Sequence, residues 1–216
     1  MPLAVPGWQD ELLELGIVGS NEVRCAMIVS RLRRFVYLGP PKTASTSLHV
    51  WLSQPLLCDR EWSPASGDQH GSQIPAEAIE FFTFASIRNP YSRTVSLWRH
   101  GLVSGENENP PIPRLDFHEF AVRLPVTTEF YGASLATWLS KARLHALVRV
   151  ERIESILELP PLAPLKSELE PIPRLNDTPH EKWQSYYDRK LADAVYRHFR
   201  EDFHTFGYHK ESWQVR

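Results

Sequence analysis

Cysteine is scarce in this sequence: Cys25 and Cys58 are the only two. At most one bridge could form, which excludes a disulfide-stapled scaffold and reads as two inert thiols in a reducing compartment. An excess of one charge sign is lacking as well. The chain has 24 Lys and Arg residues against 26 Asp and Glu, a formal net charge of −2. It therefore has no bulk attraction for nucleic acid or an anionic membrane, and neither is expected as a partner. No block of Lys or Arg is visible, which disfavours a long polyanionic glycan. No apolar run approaches the ~18 residues of a membrane span. The start, MPLAVPGWQDELLELG, carries acids where a secretory signal would carry basic residues and an apolar core. A soluble, cytoplasmic protein is expected. His100 and His118 lack metal-like spacing with any carboxylate or cysteine, so no metal is expected.

What is present is an alternation of apolar runs and helical periodicities. Phe35–Leu38, Phe81–Ile87 and His145–Val150 read as strands, the second a continuous apolar run of the kind covered on both faces. Ser45–Leu52 reads as a helix with Leu48, Trp51 and Leu52 on one face, and Asn89-Pro90 opens another that runs to about Arg99. Asp116–Leu124, Ser134–Leu144 and Asp188–Asp202 are further helices, the last capped by Asp188. Cys58–Ile74 and Val103–Arg114 are loops, and Leu159–Pro173 is a proline-rich meander. Strands alternating with helices predict an α/β fold with a central, mostly parallel sheet flanked by helices. A single domain over 34–210 is expected, with 1–33 as an extension packed on it.

Two segments carry the chemistry. In the first, strand Phe35–Leu38 turns into a helix through Gly39-Pro-Pro-Lys-Thr-Ala-Ser-Thr-Ser47. Such a turn aims unpaired backbone N–H groups outward, and the helix dipole favours an anion there. Lys42 adds a mobile cation, while Thr43, Ser45, Thr46 and Ser47 add hydroxyl donors. The pattern suits a phosphate or sulfate group. It is not a Walker A loop, because Pro41 precedes Lys42 where that motif demands glycine. In the second, FASIRNPYSRTVSLWRHG again places a strand before a helix, with Arg88 at the strand end, then Arg93, then Ser96 eight residues after Arg88. Two such strand ends face one crevice at the carboxyl edge of a parallel sheet.

These residues resemble the sulfotransferases that use 3′-phosphoadenosine 5′-phosphosulfate (PAPS), and more narrowly the branch containing carbohydrate sulfotransferases. Pro41–Ser47 is similar to that family's P-K-[TSC]-[GA]-[ST]-[TS]-[SW] loop, and Arg88–Ser96 to its R-[ND]-P-[YW]-x-R-x-[VL]-S motif. Val148–Leu157 and Val195–Tyr208 resemble its strand-plus-Glu segment and its closing helix, so the likeness covers most of the chain from Arg34 to Tyr208. Three features depart from it. Ala44 stands where many members have glycine, Gly39-Pro40 replaces a frequent His-Ile, and the Arg-Lys-Gly segment of cytosolic members is absent.

The resemblance implies a P-loop-NTPase-like sulfotransferase fold, PAPS as co-substrate without a metal, and a hydroxyl-bearing small molecule or glycan as acceptor. It implies that Lys42 offsets charge on the leaving phosphate and that backbone N–H groups around Ala44, Ser45, Thr46 and Ser47 hold the 5′-phosphate. It also implies that Arg88 and Ser96 bind the 3′-phosphate, while Arg93 either contacts the donor or pairs with a surface acid. His70, after the first helix and before the second strand, is the expected general base, with Glu61 and Asp68 as substitutes. Glu151 is expected to orient a loop through backbone N–H groups, and Arg174 either closes over the nucleotide or forms a surface ion pair. A non-catalytic nucleotide-binding protein and a small-molecule kinase with an atypical phosphate loop are the alternatives.

Overall fold

The computed structural model describes residues 27–58, 74–104, 115–122, 133–175 and 181–214. The apolar runs become a four-stranded sheet of β1 (Met27–Ser30), β2 (Phe35–Leu38), β3 (Phe82–Ile87) and β4 (Ala146–Arg149), in that spatial order. β2, β3 and β4 run parallel, and β1 pairs antiparallel with β2 across the turn 31–34. The sheet thus begins at Met27, seven residues before the domain start expected at 34, because this arginine-rich turn folds β1 back as an edge strand.

Alternation along β2 sends its side chains to two cores. Phe35 and Tyr37 join Phe84, Val148 and the Leu48, Trp51 and Leu52 face of α1 (Ser45–Leu52). Val36 and Leu38 join Ala85, Ile87 and the Leu135, Ala136 and Leu139 face of α4 (Leu135–Leu139). Both faces of the sheet are therefore covered, which a parallel sheet requires. A third core gathers α2 (Pro90–Ser104), α3 (Phe117–Val122), α5 (Arg189–His198) and α6 (Arg200–Thr205) around Tyr91, Phe117, Phe199 and Phe203.

Local chemistry explains most helix limits. Asp188 accepts from Leu191 N (2.8 Å) to cap α5, and Asp116 accepts from Glu119 N (2.8 Å) at α3. The helix expected over Asp188–Asp202 is broken at Phe199 (φ −101°, ψ 26°), giving α5 and α6. The break aims buried Asp202 at α4, where its Oδ1 accepts from Ser134 Oγ (2.6 Å) and Ala136 N (2.8 Å). α2 runs to Ser104, beyond the end expected near Arg99. After β4 the chain forms 3-10 turns at Val150–Glu158 and Ala163–Leu165, then an extended stretch pinned to α1 where Trp51 Nε1 donates to Glu170 O (2.6 Å). Cys58 is a buried thiol. No helix among the described residues is long and apolar enough to cross a membrane.

Candidate functional site

Register puts three chemistry-bearing turns at one edge of the sheet. Leu38 pairs with Ala85 and Ile87 with Arg149, so Gly39–Ala44, Arg88-Asn89 and Val150-Glu151 all leave the carboxyl ends of adjacent parallel strands. The lysine loop and the arginine tip touch: Arg88 Nη1 donates to the backbone carbonyl of Lys42 (3.4 Å). Arg88 Nε donates to Ser92 Oγ (2.8 Å) in the first turn of α2, which fixes the guanidinium between helix and loop.

Three successive carbonyls of the loop are held by side chains. Pro40 O accepts from Thr43 Oγ1 (2.7 Å), Pro41 O from Arg93 Nε (3.2 Å) and Lys42 O from Arg88. A trans peptide holds its N–H opposite its C=O. Fixing the Pro41 and Lys42 carbonyls therefore turns the N–H groups of Lys42 and Thr43 to the other side. Lys42 (φ 64°) and Ala44 (φ 58°) both adopt left-handed backbone, a conformation that curls successive N–H groups into an anion-binding nest. Ala44 is the N-cap of α1 and no side chain caps that helix, whose first ordinary bond runs from Leu48 N to Ala44 O (3.0 Å). The N–H groups before it have no acceptor within the helix. Gly39 makes the tight start possible, since a Cβ there would stand 3.0 Å from the Tyr37 ring and hydroxyl.

The hydroxyls divide. Thr43 is fully buried, and its Oγ1 also lies 2.7 Å from Ser86 Oγ, which lies 2.8 Å from Tyr37 OH. It holds the loop from beneath instead of presenting itself to an anion, as the sequence suggested. Ser47 is likewise turned to the protein, accepting from Leu175 N (3.0 Å). Ser45 and Thr46 stay half-buried at the start of α1. Arg93, expected at the donor, is 1% exposed. Its Nη1 donates to Ala133 O (3.0 Å) and lies 3.9 Å from Asp202 Oδ2, so it braces the loop from inside. Ser96 is half-buried one turn beyond Ser92 on α2.

The second turn is held differently. Asn89 Oδ1 accepts from Tyr91 N (3.0 Å), with Pro90 at the first helical position. Glu151 Oε1 accepts from Asn89 N (2.7 Å), the loop-orienting role expected of it, and Tyr208 OH donates to Glu151 Oε2 (3.1 Å). Burial and the nearby Glu151 carboxylate push the Tyr208 hydroxyl well above its usual pKa. Arg174 is exposed and precedes Leu175, whose N–H donates to Ser47.

One residue on α2 was noted in the sequence only as a non-ligand. His100, half-buried on α2, is held down to about 4 by burial, with the Lys42 charge acting in the same direction. Its spacing of four from Ser96 and eight from Ser92 is the signal that could have found it. His70, Glu61 and Asp68 lie outside the described residues. No cluster of three or more His, Cys, Asp or Glu among the described residues could hold a metal. A hollow of about 230 Å³ lies between Tyr196, Phe203, His204, Tyr208, His209 and Lys210. Its cation, Lys210, is already paired with Asp193 (2.9 Å), which makes it a poorer anion site than the loop.

No protein-family model matches the chain, and comparison with curated proteins and with solved structures likewise gives no match.

Proposed function

We propose that this protein is a sulfotransferase, moving a sulfuryl group from PAPS to an acceptor hydroxyl or amine. The reading rests above all on the Arg88 contact with the Lys42 carbonyl, which brings two cationic strand ends to one edge. A donor with phosphates at two positions needs such a pair. The nest at Lys42–Ala44 and the start of α1 suit the 5′-phosphosulfate, while Arg88 and Ser96 suit the 3′-phosphate. Sulfuryl transfer demands in-line geometry and stabilised oxygen charge, as phosphoryl transfer does. The donor supplies an activated sulfur. The chain supplies Lys42 beside the departing phosphate oxygen and a backbone held in place before the ligand arrives. Thr43, Arg93 and Glu151 position these groups without touching the donor.

The test is thermal stabilisation by adenosine 3′,5′-bisphosphate compared with ATP and magnesium. Ligand at a hundred times its dissociation constant adds about 2.7 kcal/mol. The bisphosphate is expected to raise Tm and ATP-magnesium to have little effect; stabilisation by ATP-magnesium alone sinks the reading. Labelled PAPS with a panel of hydroxyl compounds then separates an enzyme from a protein that only binds the nucleotide.

A further inference from the structure

The turn between β1 and β2 lies at the amino edge of the parallel strands, across the sheet from the lysine loop. It reads Arg31-Leu-Arg-Arg34 and is fastened on three sides. Arg31 Nη2 donates to Glu77 Oε1 (3.2 Å), Arg33 Nε donates to Leu56 O (2.9 Å), and Arg34 stacks over the Phe81 ring at 4.6 Å. Five large hydrophobic side chains stand exposed among the described residues. Three of them belong to this turn or to the segments fastened to it: Leu32 (51%), Leu56 (38%) and Ile79 (60%). Glu77 takes the Arg31 charge, while Arg33 and Arg34 form no ion pair among the described residues. Apolar side chains in water beside two such guanidinium groups fit a partner that is both apolar and acidic. We propose that residues 8–15 of this same chain are that partner, docking on this edge as a short amphipathic helix.

Residues 8–15 lie outside the described residues, and their sequence matches the edge on both counts. Trp8, Leu12 and Leu15 recur at spacings of four and three, which puts them on one helical face. Asp10, Glu11 and Glu14 form a row beside that face, and Gly16 follows as a stop signal. The first 23 residues hold four acids and no Lys or Arg, the opposite sign to the turn. The reach suffices as well. Eleven residues lie between Leu15 and Met27. Extended, they span up to about 36 Å, against about 13 Å along β1 from its start to the turn. A tethered segment meets its docking surface at a high effective concentration, so a modest apolar contact is enough to hold it. A second copy or a free acidic partner lacks that advantage. Docking at this edge leaves the carboxyl edge open and is independent of the nucleotide reading.

The test is hydrogen exchange on the full chain, read by mass spectrometry. Amides of residues 9–15 are expected to exchange about tenfold or more slowly than in a free peptide of the same sequence. Leu32→Asp and Arg34→Glu should each remove that protection while β3 (Phe82–Ile87) stays protected, which shows the sheet intact. Asp10→Lys, Glu11→Lys and Glu14→Lys together should remove it too. Combining those three with Arg33→Glu and Arg34→Glu should restore part of it, because the charges are then exchanged across the contact. Exchange as fast as in the free peptide overturns the proposal; wild-type binding to phosphatidylserine-containing vesicles that Leu32→Asp abolishes would then assign the edge to a lipid surface. Protection that survives both Leu32→Asp and Arg34→Glu also overturns it, since the segment then packs elsewhere. So does a charge exchange that restores nothing. Protection that falls on dilution, with a dimer in sedimentation, gives the edge to a second copy and overturns it as well.

Discussion

The two turns at the sheet edge do similar geometric jobs by opposite means. The turn at Arg88–Ser92 is mostly local and relaxed: Asn89 caps its own helix, Pro90 presets the first helical φ, and Glu151 accepts from the Asn89 N–H. The loop at Gly39–Ala44 is held in left-handed backbone at Lys42 and Ala44, neither of them glycine, by groups from elsewhere. Non-glycine residues in that region cost about 1–2 kcal/mol each. Such cost is tolerated where surrounding structure over-determines the shape, a pattern found at ligand-binding sites. The difference teaches that the loop's form is imposed by the fold, while the turn's form comes mostly from its own residues, with one hydrogen bond to Glu151 added from beyond β4.

Substitutions can break or sharpen this contrast. The largest effect is expected from Lys42→Ala, which should lower transfer from PAPS by about 10²-fold or more. Its bisphosphate affinity should change less than that of Arg88→Ala, which should fall about 10²-fold by calorimetry. Equal behaviour of the two would erase the division of labour between the turns. Next comes Arg93→Met. It leaves Asp202 and the Pro41 carbonyl buried without their partner and should cost about 3–5 kcal/mol in denaturant unfolding. A loss under about 1 kcal/mol would show that the loop does not depend on this brace. Gly39→Ala should cost about 1–3 kcal/mol, because the added carbon meets the Tyr37 ring. The smallest pair has opposite signs. Asn89→Ala should destabilise by about 1 kcal/mol through loss of the cap. Ala44→Gly should stabilise by about 1 kcal/mol by relieving its positive φ. Two changes of the same sign would refute the contrast between a relaxed turn and a strained loop.

Signals confined to a few residues were legible in the sequence. Asp188 as a cap and the Leu48, Trp51 and Leu52 face follow from patterns that span one element, and the parallel strands from the alternation of strands with helices. What the sequence hid depends on partners far along the chain. Arg93 is buried because Asp202 and Ala133 come to meet it. Thr43 and Ser47 look like ligand hydroxyls until Ser86 and Leu175 are beside them. The helix at Asp188–Asp202 breaks at Phe199 because Asp202 has work at α4 that periodicity cannot reveal.

The buried row Tyr37, Ser86, Thr43 has a polarity. Thr43 has a single hydroxyl proton, and a carbonyl can only receive, so that proton goes to Pro40. Ser86 must then give its own to Thr43, and Tyr37 must give its own to Ser86. All three point one way, from sheet to loop, and the tolerance of the row to change is ordered accordingly. Trimming the phenol oxygen at the far end removes the first giver and leaves the Ser86 and Thr43 bonds as they are, whereas trimming Ser86 takes an acceptor from Tyr37 and a donor from Thr43 at once.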